Sequence, residues 1–131
     1  MKTVLISSLL SSFILFNQSL FAASYDIDKT VLEIPVLQVN DGSGANFFQL
    51  KMTLLTTIDN VYAFSLTEFN LLEKAGTNSI DQFNISTNKL DLPSLSIIDK
   101  NQVSGAINVQ LNLDLLFDGV VTLSINNIKT P

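Results

Sequence analysis

The sequence predicts an all-β chain: an antiparallel β-sandwich or flattened barrel built from two duplicated three-stranded meanders. Three observations carry that reading. Apolar Ile107, Val109, Leu111, Leu113 and Leu115 alternate with Asn108, Gln110, Asn112 and Asp114, and a period of two marks a half-buried strand. Three blocks of the first half recur in the same order in the second, as an internal duplication requires. Turn-forming clusters separate the alternating runs, among them Asp41-Gly42-Ser43-Gly44, Asp59-Asn60 and Asp118-Gly119. At 131 residues the chain has the length of one domain.

Residues 1–22 read as a secretory signal peptide, which leaves a single β domain over 23–131. Lys2 supplies the positive start, and apolar residues diluted by serines follow as far as Phe16. That run falls short of the roughly 20 residues that span a bilayer, so an uncleaved anchor is the lesser alternative. Cleavage is expected between Ala22 and Ser24. Leu20 is bulky for the third position upstream of a cut after Ala22, whereas a cut after Ser24 puts Ala22 there. The expected destination is the periplasm, the cell surface or the medium, with no integral membrane segment after cleavage.

Within the domain, repeat one is expected over about 25–69, a linker over 70–82 and repeat two over about 83–128. The first block, residues 25–39, aligns without gaps with residues 83–97 and reads as one strand. Leu32 and Ile34 share one parity but Leu37 and Val39 share the other, and Leu90, Leu92, Leu95 and Ile97 repeat this. One extra residue at Pro35 and at Pro93 restores the inward face, which is what a β-bulge does; a simple bend is the alternative. The second block pairs Leu50-Lys51-Met52 with Leu111-Asn112-Leu113, and the third pairs Asp59-Asn60-Val61 with Asp118-Gly119-Val120. Leu71-Leu72-Glu73-Lys74-Ala75-Gly76 has the composition of a single helical turn closed by glycine. Alternation is also the mark of an outer-membrane barrel. Here, however, the outward positions are polar, and six long strands fall below the usual minimum of about eight.

The run Tyr25-Asp26-Ile27-Asp28-Lys29-Thr30-Val31-Leu32-Glu33-Ile34-Pro35-Val36-Leu37-Gln38-Val39 resembles a motif of small exported gammaproteobacterial β-repeat proteins. Their tandem Leu-x-Ile-Pro-x-Val-x-Val segments precede an alternating strand, with a Gly where Val31 stands here. The resemblance implies export and a β fold, and it assigns no activity.

Composition narrows the chemistry. The chain has seven Lys, no Arg, twelve acidic residues and a net charge of −5, and it lacks His, Cys and Trp. That excludes a thiolate nucleophile, a Ser-His triad, disulfides and an ordinary zinc site. It also argues against nucleic acid as a partner. Carboxylates remain, and Glu33 and Asp91 occupy equivalent places before the two bulges. Such a pair about 5–10 Å apart would suit a glycosidase, but the alternation turns both toward solvent. Asp26, Asp28 and Asp41 are candidate calcium ligands on loops, although Asp also serves turns as a cap. The outward amides of Asn108, Gln110 and Asn112 form a candidate binding row for sugar hydroxyls or another strand. No cofactor other than calcium is indicated. The expected function is a non-catalytic exported module that binds a ligand or a surface. Alternatives are a subunit of an extracellular fibre or matrix, self-associating through sheet edges, and a carboxylate-dependent hydrolase. The proline strands and the terminal strand ending near Ile128 are the candidate edges.

Overall fold

The computed structural model describes residues 22–72 and 80–130. The expected signal peptide up to residue 21 and residues 73–79 of the linker lie outside them. Eight strands follow in order: β1 (Ser24–Asp26), β2 (Val31–Asn40), β3 (Ala45–Ile58), β4 (Val61–Leu72), β5 (Gln82–Asn84), β6 (Lys89–Asp99), β7 (Gln102–Phe117) and β8 (Val120–Lys129). No helix occurs among the described residues. Leu71 and Leu72 finish β4 rather than opening a helical turn. The rest of that expected turn lies outside the described residues.

The long strands form an antiparallel series β2-β3-β4-β8-β7-β6, and the sheet closes on itself as a seven-strand barrel. Closure is made by two very short strands that share the seventh place. β1 lies between residues 31–33 of β2 and 96–98 of β6. β5 lies between residues 38–40 of β2 and 89–91 of β6. The two therefore sit end to end in one slot, pointing away from each other.

The bulges fall where the sequence places them. Ile34 faces Leu50 and Leu37 faces Phe48, so Pro35 and Val36 together oppose the single residue Gln49. Leu92 faces Val109 and Leu95 faces Ile107, so Pro93 and Ser94 oppose Asn108. Residues 34–37 and 92–95 flank the place where β1 and β5 meet, outside the ladders of both. The bulges turn Leu32, Ile34, Leu37 and their counterparts Leu90, Leu92, Leu95 all into the core. Ile34 and Leu92 are completely buried.

Three expectations need correction. Residues 25–39 are not one strand: Asp26 Oδ1 accepts the N–H groups of Asp28 and Lys29, and this turn separates β1 from β2. Each half thus contributes a short strand and three long ones. Thr30 takes a left-handed conformation, with φ 57°, and Asn88 matches it at φ 56°. Asn tolerates that region better than a β-branched residue does, so residue 88 carries the clearer sequence signal. The second block is also two residues out of register. The structure sets Val109 opposite Leu92 as Leu50 is opposite Ile34, so Leu50 corresponds to Val109 and not to Leu111. A slip of two keeps every apolar residue inward, so alternation cannot detect it. Finally, Leu115 does not join the core. Asp114 is an extra residue between the Leu113–Leu123 and Leu115–Thr122 pairs, and beyond it Leu115 turns outward.

The two-residue turns at Asp59-Asn60, Lys100-Asn101 and Asp118-Gly119 all have positive φ at both positions. Such turns match the right-handed twist of long hairpins. Packing at the bulged strands should dominate stability. Leu92→Ala is expected to cost about 2–5 kcal/mol, whereas Leu115→Ala should stay within about 0.5 kcal/mol. Urea unfolding of the two variants measures the difference.

Candidate functional site

The long hairpins β3–β4 and β7–β8 touch through a short ladder, from Val61 facing Ser124 to Ser65 facing Val120. Beyond it they diverge. After a last bond from the Leu66 N–H to the Gly119 carbonyl at 2.8 Å, residues 68–72 of β4 pair only with β3, and residues 125–129 of β8 pair only with β7. The cause lies in the strands themselves, because Thr67 and Asn126 are each an extra residue in their ladders and bend β4 and β8 away. Each divergence opens an apolar cleft at one end of the barrel.

The first cleft, of about 190 Å³, is lined by Tyr25, Leu54, Tyr62, Ile97, Ile125 and Ile128 around deeper core residues. The second, of about 270 Å³, is lined by Val39, Leu66, Phe69, Phe83, Leu113 and Leu116 around their counterparts. Tyr25 of one corresponds to Phe83 of the other, Leu54 to Leu113, Ile125 to Leu66 and Ile128 to Phe69. Phe69 stacks on Phe48 with ring centroids 4.8 Å apart, a geometry that holds the wall of the second cleft in place. The tyrosines make the first cleft more polar at its mouth. Burial raises the Tyr25 phenol above its ordinary pKa, with smaller contributions from Asp26 and Tyr62. Neither cleft carries an acid, a base or a nucleophile poised for a reaction; each offers apolar contact.

The residues singled out in the sequence lie elsewhere. Glu33 and Asp91 stand on the outer side of β2 and β6, each between two buried neighbours. Asp91 is level with Gln38 through Gln82. That places it about 15 Å along the strands from Glu33 at roughly 3.3 Å per residue, beyond the glycosidase span of about 5–10 Å. Gln110 donates to Asp91 at 2.7 Å instead.

The three candidate calcium ligands serve turns. Asp26 caps the β1–β2 turn, and Asp28 Oδ2 accepts the Lys100 N–H at 2.6 Å. Asp41 Oδ1 accepts from the Ser43 N–H, the Ser43 hydroxyl and the Gly44 N–H. Those bonds, Ser43 first, hold the Asp41 carboxyl below its ordinary pKa. Among the described residues no three acidic side chains gather as a metal site would need. The amide row is likewise occupied by its own sheet. Asn126 donates to Gln110 Oε1, Lys89 Nζ donates to Asn112 Oδ1, and Asn112 Nδ2 donates to the Ser124 hydroxyl at 3.4 Å. Asn108 opposes the Pro93 bulge.

The expected edges also shift. β2 and β6 are bridged by β1 and β5, so the proline strands are not free edges. The terminal strand does present one, over residues 125–129, and so does β4.

One buried acid escaped the sequence reading. Asp81, just before β5, is fully buried, and its Oδ2 accepts the backbone N–H of Ala23 at 3.0 Å. Burial pushes its carboxyl up to about 7, and the Ala23 N–H pulls partly against that rise. The available signal was a charged residue two places before Phe83, where the aligned segment has Ala23 two places before Tyr25.

No family model, curated protein or solved structure matches the chain.

The Asp81 environment has a pH consequence while the Ala22–Ala23 bond is intact, as it is in this structure. Its folded pKa lies above the ordinary 3.8, so folding favours the protonated acid. That contribution is complete below the unfolded value and is lost as pH rises through about 7. The urea midpoint of the uncleaved chain should therefore fall between pH 4.5 and 7.5, relative to Asp81→Asn. Parallel midpoints for the two chains would contradict this.

Proposed function

We propose that the protein is an exported, non-catalytic module that takes small apolar groups in the two clefts at the barrel ends. We further read it as two copies of one β unit, each a short strand followed by three long ones. The observation that carries the functional reading is the pairing of the clefts. Two equivalent openings are lined by apolar residues that the divergence of β4 and β8 leaves accessible. A fold seeking only stability would close them, because apolar surface left open forfeits about 25 cal/mol per Å².

Their size fits a chain end or a single apolar side chain, since whole drug-sized ligands occupy roughly 300–1,000 Å³. The leader-like N-terminus supports export. The missing His, Cys and Arg and the outward, separated Glu33 and Asp91 support binding rather than hydrolysis. Calcium at Asp26, Asp28 or Asp41 has less support, as turn N–H groups already use those carboxylates.

A second reading, assembly into a fibre or matrix, is favoured by one feature. Leu115, Leu116 and Phe117 stand exposed on the β7–β8 hairpin, Phe117 at 71%. Light scattering of Phe117→Lys beside the parent chain tests it, with loss of oligomer as the expected mark.

For the cleft reading, octan-1-ol is titrated into methyl-labelled protein. Shifts are expected at Leu54 and Ile125 for one cleft and at Leu66 and Leu113 for the other. Ile125→Lys should abolish the first set and leave the second. Shifts spread over the surface, or none at all, would reject the clefts as binding sites.

A further inference from the structure

Ala23 and Asp81 occupy matching positions at the inner ends of β1 and β5. They meet in the middle of the slot, and their backbones are used alike. Ser96 donates its N–H to the Ala23 carbonyl at 3.0 Å, and Gln38 donates its N–H to the Asp81 carbonyl at 2.9 Å. The likeness ends at the side chains, where one repeat has a methyl group and the other a carboxylate. Both residues are fully buried, and Asp81 Oδ2 lies 3.0 Å from the Ala23 nitrogen.

The ladder gives no reason for an acid there, since alanine serves the same backbone role in the other copy. A carboxylate in an apolar core is costly unless charge and hydrogen bonds offset its lost hydration. The nitrogen it faces belongs to the residue that would begin the chain if the leader ended at Ala22.

We propose, resting on the export reading above, that leader removal at the Ala22–Ala23 bond converts this nitrogen into an α-ammonium group received by Asp81. The product is a buried ion pair joining the two repeats. A signal peptidase of the host supplies the hydrolysis. The bond between the Ala22 carbonyl carbon and the Ala23 nitrogen breaks and one water is consumed. Ala22 leaves as a carboxylate on the leader, and the Ala23 nitrogen becomes an ammonium; no electrons are exchanged.

The geometry also selects among the three bonds open to cleavage. A cut after Ala23 or after Ser24 would remove both the nitrogen facing Asp81 and the carbonyl that accepts from Ser96. Only a cut after Ala22 keeps both. Other ionisable side chains on the surrounding strands are Tyr25 and Asp26 on β1, Glu33 on β2, and Lys89, Asp91 and Asp99 on β6. All of them retain solvent contact, so none replaces Asp81 as the buried partner of the new amine.

The test uses the full chain, leader included, expressed in an exporting bacterium. The purified product is identified by intact mass and then labelled with ¹³C-formaldehyde and a mild hydride reductant, both folded and in urea. The expected chain begins at Ala23. Its α-amine should react at least about tenfold more slowly when folded, the reduction that a one-unit rise in amine pKa would give. Asp81→Asn should remove that protection while the lysine side chains label as before. If Asp81→Asn does not fold, the ¹³C signal of the methylated α-amine in the parent protein decides. Titration clearly above the ordinary α-amino value of about 8 supports the pair, and titration at that value overturns it. A processed chain beginning at Ser24 or Tyr25, or an α-amine equally reactive in both states, also overturns the proposal and leaves export standing. A chain that retains Met1 after export overturns the export reading itself.

Discussion

Everything in this barrel depends on filling one slot. Six long strands can pair only in a row, and the row must close where β2 faces β6. Among the described residues no full-length strand fills that place, and two three-residue strands share it, one from each half. Their ends meet where β2 and β6 bulge at Pro35 and Pro93. A continuous strand would require continuous acceptors and donors along both walls. Two short ones leave a gap in the ladders, and a proline costs little where no ladder partner faces it. The prolines are thus fitted to the closure, and the closure in turn sets which residues point inward.

The clefts follow from the opposite side of the barrel. There the two hairpins cross through a short ladder, and the bulges at Thr67 and Asn126 bend them apart beyond it. One side of the barrel is pinned at its middle by Ala23 and Asp81, the other by Ala63 facing Thr122. Openings can then occur only toward the ends, where Ile125, Ile128, Leu66 and Phe69 would otherwise be covered. The same apolar residues that stabilise the core are left accessible at its two rims. Closure and openings are thus two sides of one arrangement: short strands fill the slot between β2 and β6, and the bulges at Thr67 and Asn126 part the hairpins opposite it.

Much of this was legible in the sequence, and the failures have physical causes. Alternation identified the inward faces of β2, β3, β6 and β7, and the parity change at Pro35 and Pro93 gave both bulges. The β1–β2 turn was missed because it is built by the Asp26 side chain and by Thr30 at positive φ, without the glycine that usually marks such a turn. The register of β7 was read two residues away, since alternation is blind to even slips. Closure was not readable, because parallel contacts between β1 and β6 and between β2 and β5 join distant parts of the chain. The clefts were hidden for a related reason: Ile125 and Ile128 look like core until the bulge at Asn126 is known. Asp81 was in plain view as a charged residue aligned with Ala23, yet it fell within the expected linker.

Amide hydrogen exchange at Gln38 and Ser96 tests the closure most directly. These two N–H groups reach across the slot to the Asp81 and Ala23 carbonyls. If the paired short strands close the barrel, both amides should exchange only through global unfolding, as slowly as those of Leu32 and Leu90 in the core. Exchange at the rate of the exposed Leu116 amide on the β7–β8 hairpin would mean that the slot is open, and the barrel described here would be wrong.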